Sequence, residues 1–558
     1  MHLFEHLADC FVAEGVDTCF ALLGDANMNW ATALAGRGVA MTYVRHEHCA
    51  VAAATAFARK SGRVGVATVT CGPGLTQVLT ALPAAARARL PLVIFAGEAP
   101  LGAAWYNQAI DQAPFIAATG ARYRALHHVP RMAEAIRDAF VEAKETRGPV
   151  VLGVPFDLQA RQIAPPACLP RPSAEIMPRT GPIPPGSDDL DALLAEIDAA
   201  RRVVIMAGLG AADADAAASC RDLGDRIGAL MATTLPARGL FHGDAFSLGI
   251  AGGFSTALAR SLFAQADLVL AFGCSLTQHN LDKGKLFPKA RIVQIDTAPR
   301  AVSQGMVAAE RHLRSDARLA AQALARRASP RQGWRSADLA DAIATTPADT
   351  ATFPAQPGLL DPRDVVSVLD KVLPMDWQMV NSSGHCSFFF AQMDRPWDRF
   401  LTIREFGAIG NGIAYAMGVA AARPGERIVL FDGDGSVLMH IQELETLRRH
   451  GLDILICVLN DGAYGSEIHK LRHEGLSDAG AVFGRTDLAA IARGFGIAGY
   501  RVDDLSALPG IVERFAARRG PMLIDVPVSD MVASPVIRRA HPDGHSGTEH
   551  PVAIEAFL

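Results

Sequence analysis

The chain has 558 residues, 50% of them apolar, and a formal net charge of −5 at pH 7. That length accommodates roughly three domains of ordinary size, and a mildly acidic balance without charged blocks excludes a nucleic-acid or charged-polymer partner. The nine cysteines are odd in number and scattered without a Cys-x-x-Cys pair, which argues against a disulfide framework or thiolate metal site and for a cytoplasmic, reducing compartment.

The first nine residues read as an amphipathic helix carrying acids rather than a signal segment. No apolar run has the length of a membrane span. Residues 41–47 read as a strand and 48–60 as an alanine-rich helix, which puts Glu47 at a strand end. Residues 64–69 form another apolar run, ending in Thr70-Cys71-Gly72-Pro73-Gly74, a tight turn before a helix near Leu75. Strands at 92–96 and 150–154 alternate with helical stretches, as in a doubly wound parallel sheet. A proline-rich linker at 163–185 follows. Strands at 202–207, 266–273 and 291–296 then mark a second α/β unit. Gly208-Leu209-Gly210 after a strand resembles a dinucleotide turn, although Asp213 stands where that fingerprint needs its third glycine; a nicotinamide dehydrogenase is the rival enzyme reading. A second linker spans 330–358.

The last unit is the most informative. Residues 427–436 read as a buried strand running into Gly433-Asp434-Gly435-Ser436, and residues 452–460 as a second strand ending in Asn460-Asp461-Gly462. Ile441, Leu444, Leu447 and Arg448 give helical spacing between them, with Gly451 as the stop. Right-handed crossover makes the strands parallel, so Asp434 and Asn460 emerge together at the carboxyl edge of the sheet, where open α/β sheets bind ligands. A carboxylate, an amide oxygen and the Gly462 carbonyl form an all-oxygen set suited to Mg²⁺ bound to a diphosphate. Gly433 and Gly435 permit close backbone approach, and Ser436 offers a donor to phosphate. Asp434 and Asn460 read as ligands of one metal ion.

These motifs resemble the thiamine diphosphate-dependent enzymes of the acetohydroxyacid synthase and pyruvate decarboxylase type, in domain order over nearly the whole chain. The resemblance implies an α/β fold of three doubly wound parallel-sheet domains: a pyrimidine-binding domain at 1–165, a central domain at 187–330 and a diphosphate-binding domain at 359–530, followed by a C-terminal tail at 531–558 whose role the sequence leaves open. It makes Asp434, Asn460 and the Gly462 carbonyl the metal ligands, with Gly433, Gly435, Ser436 and His385 against the diphosphate and Pro73 and Gly74 in the pyrimidine pocket. Glu47 becomes the carboxyl group that shares a proton with N1′ of the aminopyrimidine. Ile409, within Phe406-Gly-Ala-Ile-Gly-Asn-Gly412, becomes the apolar prop that bends the cofactor into its reactive shape. Gln112, or failing it Gln108, takes the place of the family glutamine facing the cofactor.

The implied activity is cleavage or formation of a C–C bond beside a carbonyl: 2-oxo acid decarboxylation, acyloin-type carboligation, or both, as in acetolactate synthase. Substrates are a 2-oxo acid with a hydroxyketone or aldehyde. A simple 2-oxo acid decarboxylase, a hydroxyketone lyase and a catalytically degenerate regulatory subunit are the alternatives, although a degenerate chain is expected to lose Glu47. The family glutamate reaches a cofactor held by a partner chain, which implies at least a homodimer and by family habit a homotetramer. FAD occurs in the central domain of some members, but no residue here indicates it. Two departures bear on the substrate: the Phe-Gln-Glu segment of acetohydroxyacid synthases is absent from 105–112, and their tryptophan after the metal asparagine is absent from 464–470. Asp25, Asn27, Tyr464 and Glu467, with His469, are the polar candidates for the substrate pocket. His127-His128 falls downstream of where the family pair lies and reads as structural, and His46 and His48 point away from Glu47 by strand alternation.

Overall fold

A computed structural model describes residues 1–550; positions 551–558 of the expected tail lie outside the described residues. Three six-stranded sheets follow one another along the chain, each parallel throughout. The first contains β1 (Thr18–Ala21), β2 (Ala40–Tyr43), β3 (Gly65–Val69), β4 (Leu92–Glu98), β5 (Arg122–Ala125) and β6 (Pro149–Pro155), in the order β2-β1-β3-β4-β6-β5. The second contains β7 (Val203–Ala207), β8 (Leu230–Thr233), β9 (Ser247–Ile250), β10 (Leu268–Phe272) and β11 (Arg291–Asp296). A small antiparallel hairpin, β12 (Val302–Ser303) with β13 (Met306–Val307), precedes the edge strand β14 (Arg311–Arg314), and the sheet order is β14-β11-β10-β7-β8-β9. The third contains β15 (Gln378–Asn381), β16 (Phe400–Thr402), β17 (Ile428–Gly433), β18 (Ile454–Asn460), β19 (Ala498–Arg501) and β20 (Met522–Pro527), ordered β16-β15-β17-β18-β20-β19. Strands such as β3 and β18 are buried along their whole length, because helices cover both faces of a parallel sheet.

The first and third sheets share one strand order, renumbered 2-1-3-4-6-5, whereas the second has the 3-2-1-4-5-6 order of dinucleotide-binding domains. That order alone favours the rival dehydrogenase, but its switch point is closed. The Gly208 amide donates to the Phe272 carbonyl at 2.8 Å and the Gly210 amide to the Gly273 carbonyl at 3.0 Å. A Cβ on Gly208 would stand 2.2 Å from the Gly273 carbonyl. These glycines serve backbone packing between the ends of β7 and β10, and their amides are not free for a pyrophosphate.

Helix Glu47–Ser61 lies against helix Gly412–Ala422, and one continuous core runs from the first sheet into the third through this pair. Small residues allow the approach: a Cβ on Gly418 would come within 2.1 Å of the Ala53 carbonyl. Two local expectations are corrected. β2 ends at Tyr43, where its sole neighbour β1 also ends, so Glu47 opens a helix instead of closing a strand. Between Asp434 and Asn460 stand two short helices, Asp434–Met439 and Glu443–Arg449, and Gly451 beyond them takes φ +61°.

Candidate active site

The carboxyl edge of the third sheet forms an open cavity. Its wall takes Ser383, Gly384 and His385 from the loop after β15, Ile409 from the segment before helix Gly412–Ala422, and Asp434 and Asp461 from the ends of β17 and β18. Parallel strand ends put these residues side by side although up to 78 positions separate them in sequence.

Asn460 is fully buried; its Nδ2 donates to the Thr486 carbonyl at 2.9 Å and to Asp525 Oδ1 at 2.8 Å, while its Oδ1 has no partner. An unpartnered buried carbonyl is costly unless something positive fills the space. Asp434, 1% exposed, accepts the Gly462 amide at 2.9 Å. Burial raises the Asp434 carboxyl above its ordinary range, and burial together with the Asp434 charge raises Asp461 further. The adjoining Asp434 and Asp461 carboxyls on the cavity wall fit a hard divalent cation, whereas Asn460 is not part of that wall. The Gly462 carbonyl, expected as third ligand, is corrected: it accepts the amides of Phe483 at 3.0 Å and Gly484 at 2.9 Å, which occupies both lone pairs. Asp461, next to it in the chain, lines the cavity and adjoins Asp434. Among the described residues no group of three His, Cys, Asp or Glu side chains is spaced to hold a metal, so any ion here relies on the two carboxyls and on oxygens of a ligand.

Ser436 is also corrected as a phosphate donor. Its hydroxyl donates to Asp432 Oδ2 at 2.9 Å and accepts the Gly410 amide at 2.8 Å, so it ties the Ile409 loop to the strand end. Asp432 itself escaped the sequence reading; burial pushes its carboxyl up to about 7, and the paired Asp-Gly-Asp-Gly spacing was its only signal. Gly433 and Gly435 line the cavity, and a Cβ on Gly435 would fall 2.9 Å from the Tyr464 ring. His385 Nε2 accepts the Ser534 amide at 3.1 Å, which assigns the proton of this neutral, buried ring to Nδ1, turned toward Gly465. Tyr464, 41% exposed, packs on Phe483 at the cavity rim, and Glu467 pairs with Lys470 at 3.1 Å. His469 is buried beside His385, ring centres 4.8 Å apart, with neither nitrogen bonded.

Glu47 does not line this cavity within one chain. It borders the Gly72-Pro73-Gly74 turn, where Gly72 takes φ +56° and a Cβ on Gly74 would stand 3.4 Å from Glu47 Oε1 and 2.7 Å from Thr70 Cγ2. Gln112 is corrected as a cofactor-facing amide: Oε1 accepts the Gly72 amide, and Nε2 donates to the Gly97 carbonyl and Tyr123 hydroxyl. It braces the turn. Gln108, half-buried beside Cys71, keeps its amide nitrogen uncommitted and is the better placed of the two. Asn27 is corrected too, since it is fully buried and bonded to Gly24, Leu22 and Thr68; Asp25 beside it is exposed. His48 does not point into solvent or away from the site by alternation. It stacks on His440 at 4.8 Å and bonds Asn411 Oδ1 at 2.7 Å, while His440 Nδ1 donates to the Gly410 carbonyl, so two histidines grip the Ile409 loop. His127 pairs with Glu98 away from the cavity.

The chain matches the family models for the N-terminal TPP binding domain of thiamine pyrophosphate enzymes over residues 1–115, their central domain over 190–324 and their C-terminal TPP binding domain over 382–526. It is 30% identical over 559 residues to acetolactate synthase 2, chloroplastic, of Zea mays, covering 94% of this chain and 84% of that relative. The chain belongs to the thiamine pyrophosphate enzyme family. Other members similar to it are the acetolactate synthase large subunit of Parasynechococcus marenigrum, 29% identical over 94% of this chain and 86% of that protein, and acetolactate synthase 1, chloroplastic, of Oryza sativa subsp. japonica, 30% identical over 94% and 83%. It is therefore a thiamine diphosphate-dependent enzyme of the C–C bond-forming or bond-breaking kind. Membership explains why two half-sites, each built at strand carboxyl ends, stand on sheets of one strand order.

Proposed function

We propose that this enzyme decarboxylates a 2-oxo acid and joins the remaining acyl carbon to a second carbonyl, an acetolactate synthase-like carboligation. The observation that carries it is the pair of adjoining carboxyls, Asp434 and Asp461, on the cavity wall, where burial and the charge of one beside the other leave a demand for positive charge. Asp434 and Asn460, with Asp461, hold Mg²⁺ there. Bound thiamine diphosphate supplies a carbanion nucleophile and an electron sink for the bond broken next to a carbonyl. Glu47 holds the proton at the pyrimidine N1′. Gly74 leaves room beside that carboxyl, Gln112 fixes the turn, and Ile409 presents the apolar wall against which the cofactor bends.

Because Glu47 and the cavity are separate within one chain, the working unit is a homodimer in which each copy completes the other's site. Exposed apolar residues on the Gln108 segment, Leu101, Trp105 and Ile110, together with Met439 and with Tyr464 at the cavity rim, support that contact. A homotetramer and a cytoplasmic location follow family habit and the free state of all nine cysteines; no helix among the described residues is long and apolar enough to cross a membrane. The absence of the acetohydroxyacid synthase tryptophan from residues 464–470 points to a product other than acetolactate. The test is a panel of 2-oxo acids and aldehydes with holoenzyme, following carbon dioxide and hydroxyketone together. Carbon dioxide without hydroxyketone from every pair would refute carboligation.

A further inference from the structure

Arg404 lies five positions before Ile409, on the segment leading from β16 to the cavity wall. Its guanidinium carbon is 5.2 Å from the ring centre of Phe254 and 5.3 Å from that of Phe388, and those rings stand 5.3 Å apart. The charged head is thus held against two aromatic faces, one from the central domain and one from the diphosphate-binding domain. Phe388 packs in turn on His385, ring centres 6.0 Å apart, and His385 lines the cavity.

No acid among the described residues pairs with this guanidinium, and it forms no hydrogen bond to the protein. Its neighbour Glu405 accepts the Arg404 backbone amide at 2.8 Å and faces Arg59 at 3.9 Å. The nearby Arg238 adds to the imbalance. Packed between the rings of Phe390 and Phe400, it donates Nη1 to the Phe390 carbonyl at 3.1 Å and leaves Nε and Nη2 unpartnered. Burial and the Arg404 charge both work against ionisation of Arg238. Aromatic faces steady a guanidinium but leave its planar fork of N–H donors unanswered. That fork matches a carboxylate.

The carboxylate in question cannot usefully be the one that departs. An ion pair stabilises it in the ground state and weakens as its charge disperses into carbon dioxide, which slows the step. We propose that Arg404 binds the retained carboxylate of the donor, and that the preferred donor is accordingly a 2-oxo dicarboxylic acid. This rests on the decarboxylation reading above.

The test compares kcat/KM for carbon dioxide release from 2-oxopentanedioate and from 2-oxobutanoate, using holoenzyme of the wild type, Arg404→Gln and Arg404→Lys. The wild type favours the dicarboxylate. Arg404→Gln lowers the ratio of the two kcat/KM values roughly ten- to a hundredfold, mainly through KM, and Arg404→Lys recovers part of it because charge is kept without the fork. Reading a ratio within each variant cancels any loss of folded enzyme. A wild-type preference for the monocarboxylate, or an unchanged ratio in Arg404→Gln, overturns the proposal. If no 2-oxo acid is turned over, the reaction assigned above fails, and the anion site is decided by titrating glutarate into holoenzyme. Binding weakened tenfold or more in Arg404→Gln supports the site; equal binding in both, or none to the wild type, overturns it.

Discussion

Replacement of Asn460 by alanine separates a structural from a ligating role, because its two ends do different work. The Nδ2 end satisfies the Thr486 carbonyl and the buried Asp525 carboxyl at 2.9 and 2.8 Å. Losing it strands one neutral and one acidic acceptor, which costs about 2–4 kcal/mol of stability in the apoenzyme. The Oδ1 end has no protein partner, so its loss costs the apoenzyme little and falls on the bound metal. If Mg²⁺ and thiamine diphosphate are supplied at a hundred times their joint dissociation constant, wild type gains about 2.7 kcal/mol. A ten- to hundredfold weaker site keeps only about 1.4 to 0.4 kcal/mol at the same concentrations. The assay is thermal unfolding of both proteins, apo and with thiamine diphosphate, each with and without Mg²⁺. A variant with a lowered apo midpoint but an undiminished Mg²⁺-dependent increment would refute the ligating role and leave Asn460 a purely structural clamp.

Glu47→Gln keeps size and polarity but cannot supply the carboxyl proton. Turnover should drop by roughly 10²–10⁴ while circular dichroism and cofactor content stay at wild-type levels; near-normal turnover would dismiss the proton role. Gly418→Ala adds helix propensity worth about 1 kcal/mol but drives a Cβ to 2.1 Å from the Ala53 carbonyl. Over-packing against backbone, which costs about 1–3 kcal/mol, should outweigh that gain and lower the thermal midpoint, and a raised midpoint would contradict the close helix crossing. Burial first and the neighbouring His440 second lower His48 from 6.5 to about 4. Its contribution is therefore complete above pH 6.5 and is lost as pH falls through 4, about 3 kcal/mol in all. Thermal midpoints followed from pH 7 to 4.5 should fall more steeply in wild type than in His48→Gln, and parallel curves would count against the assignment.

The elements that carry the site were legible because their signals are local. Consecutive β-branched runs ending in Gly433 and Asn460 specify buried parallel strands, and a right-handed crossover leaves them no choice but a common edge. Boundaries were less legible. β2 stops where its partner strand stops, a fact of sheet pairing that places Glu47 on a helix.

What the sequence by itself determined is which residue types stand at strand ends, and hence the family, the cofactor and the three-sheet architecture. What only the tertiary structure decided is which of their polar atoms remain available. Whether the Gly462 carbonyl, the Ser436 hydroxyl, Gln112 or Asn27 can meet a ligand depends on Gly484, Asp432, Gly72 and Thr68, partners between 4 and 41 positions away. The grip of His48 on Asn411 spans 363 positions. Hydrogen-bond capacity is finite, and no local pattern records a partner brought in by folding.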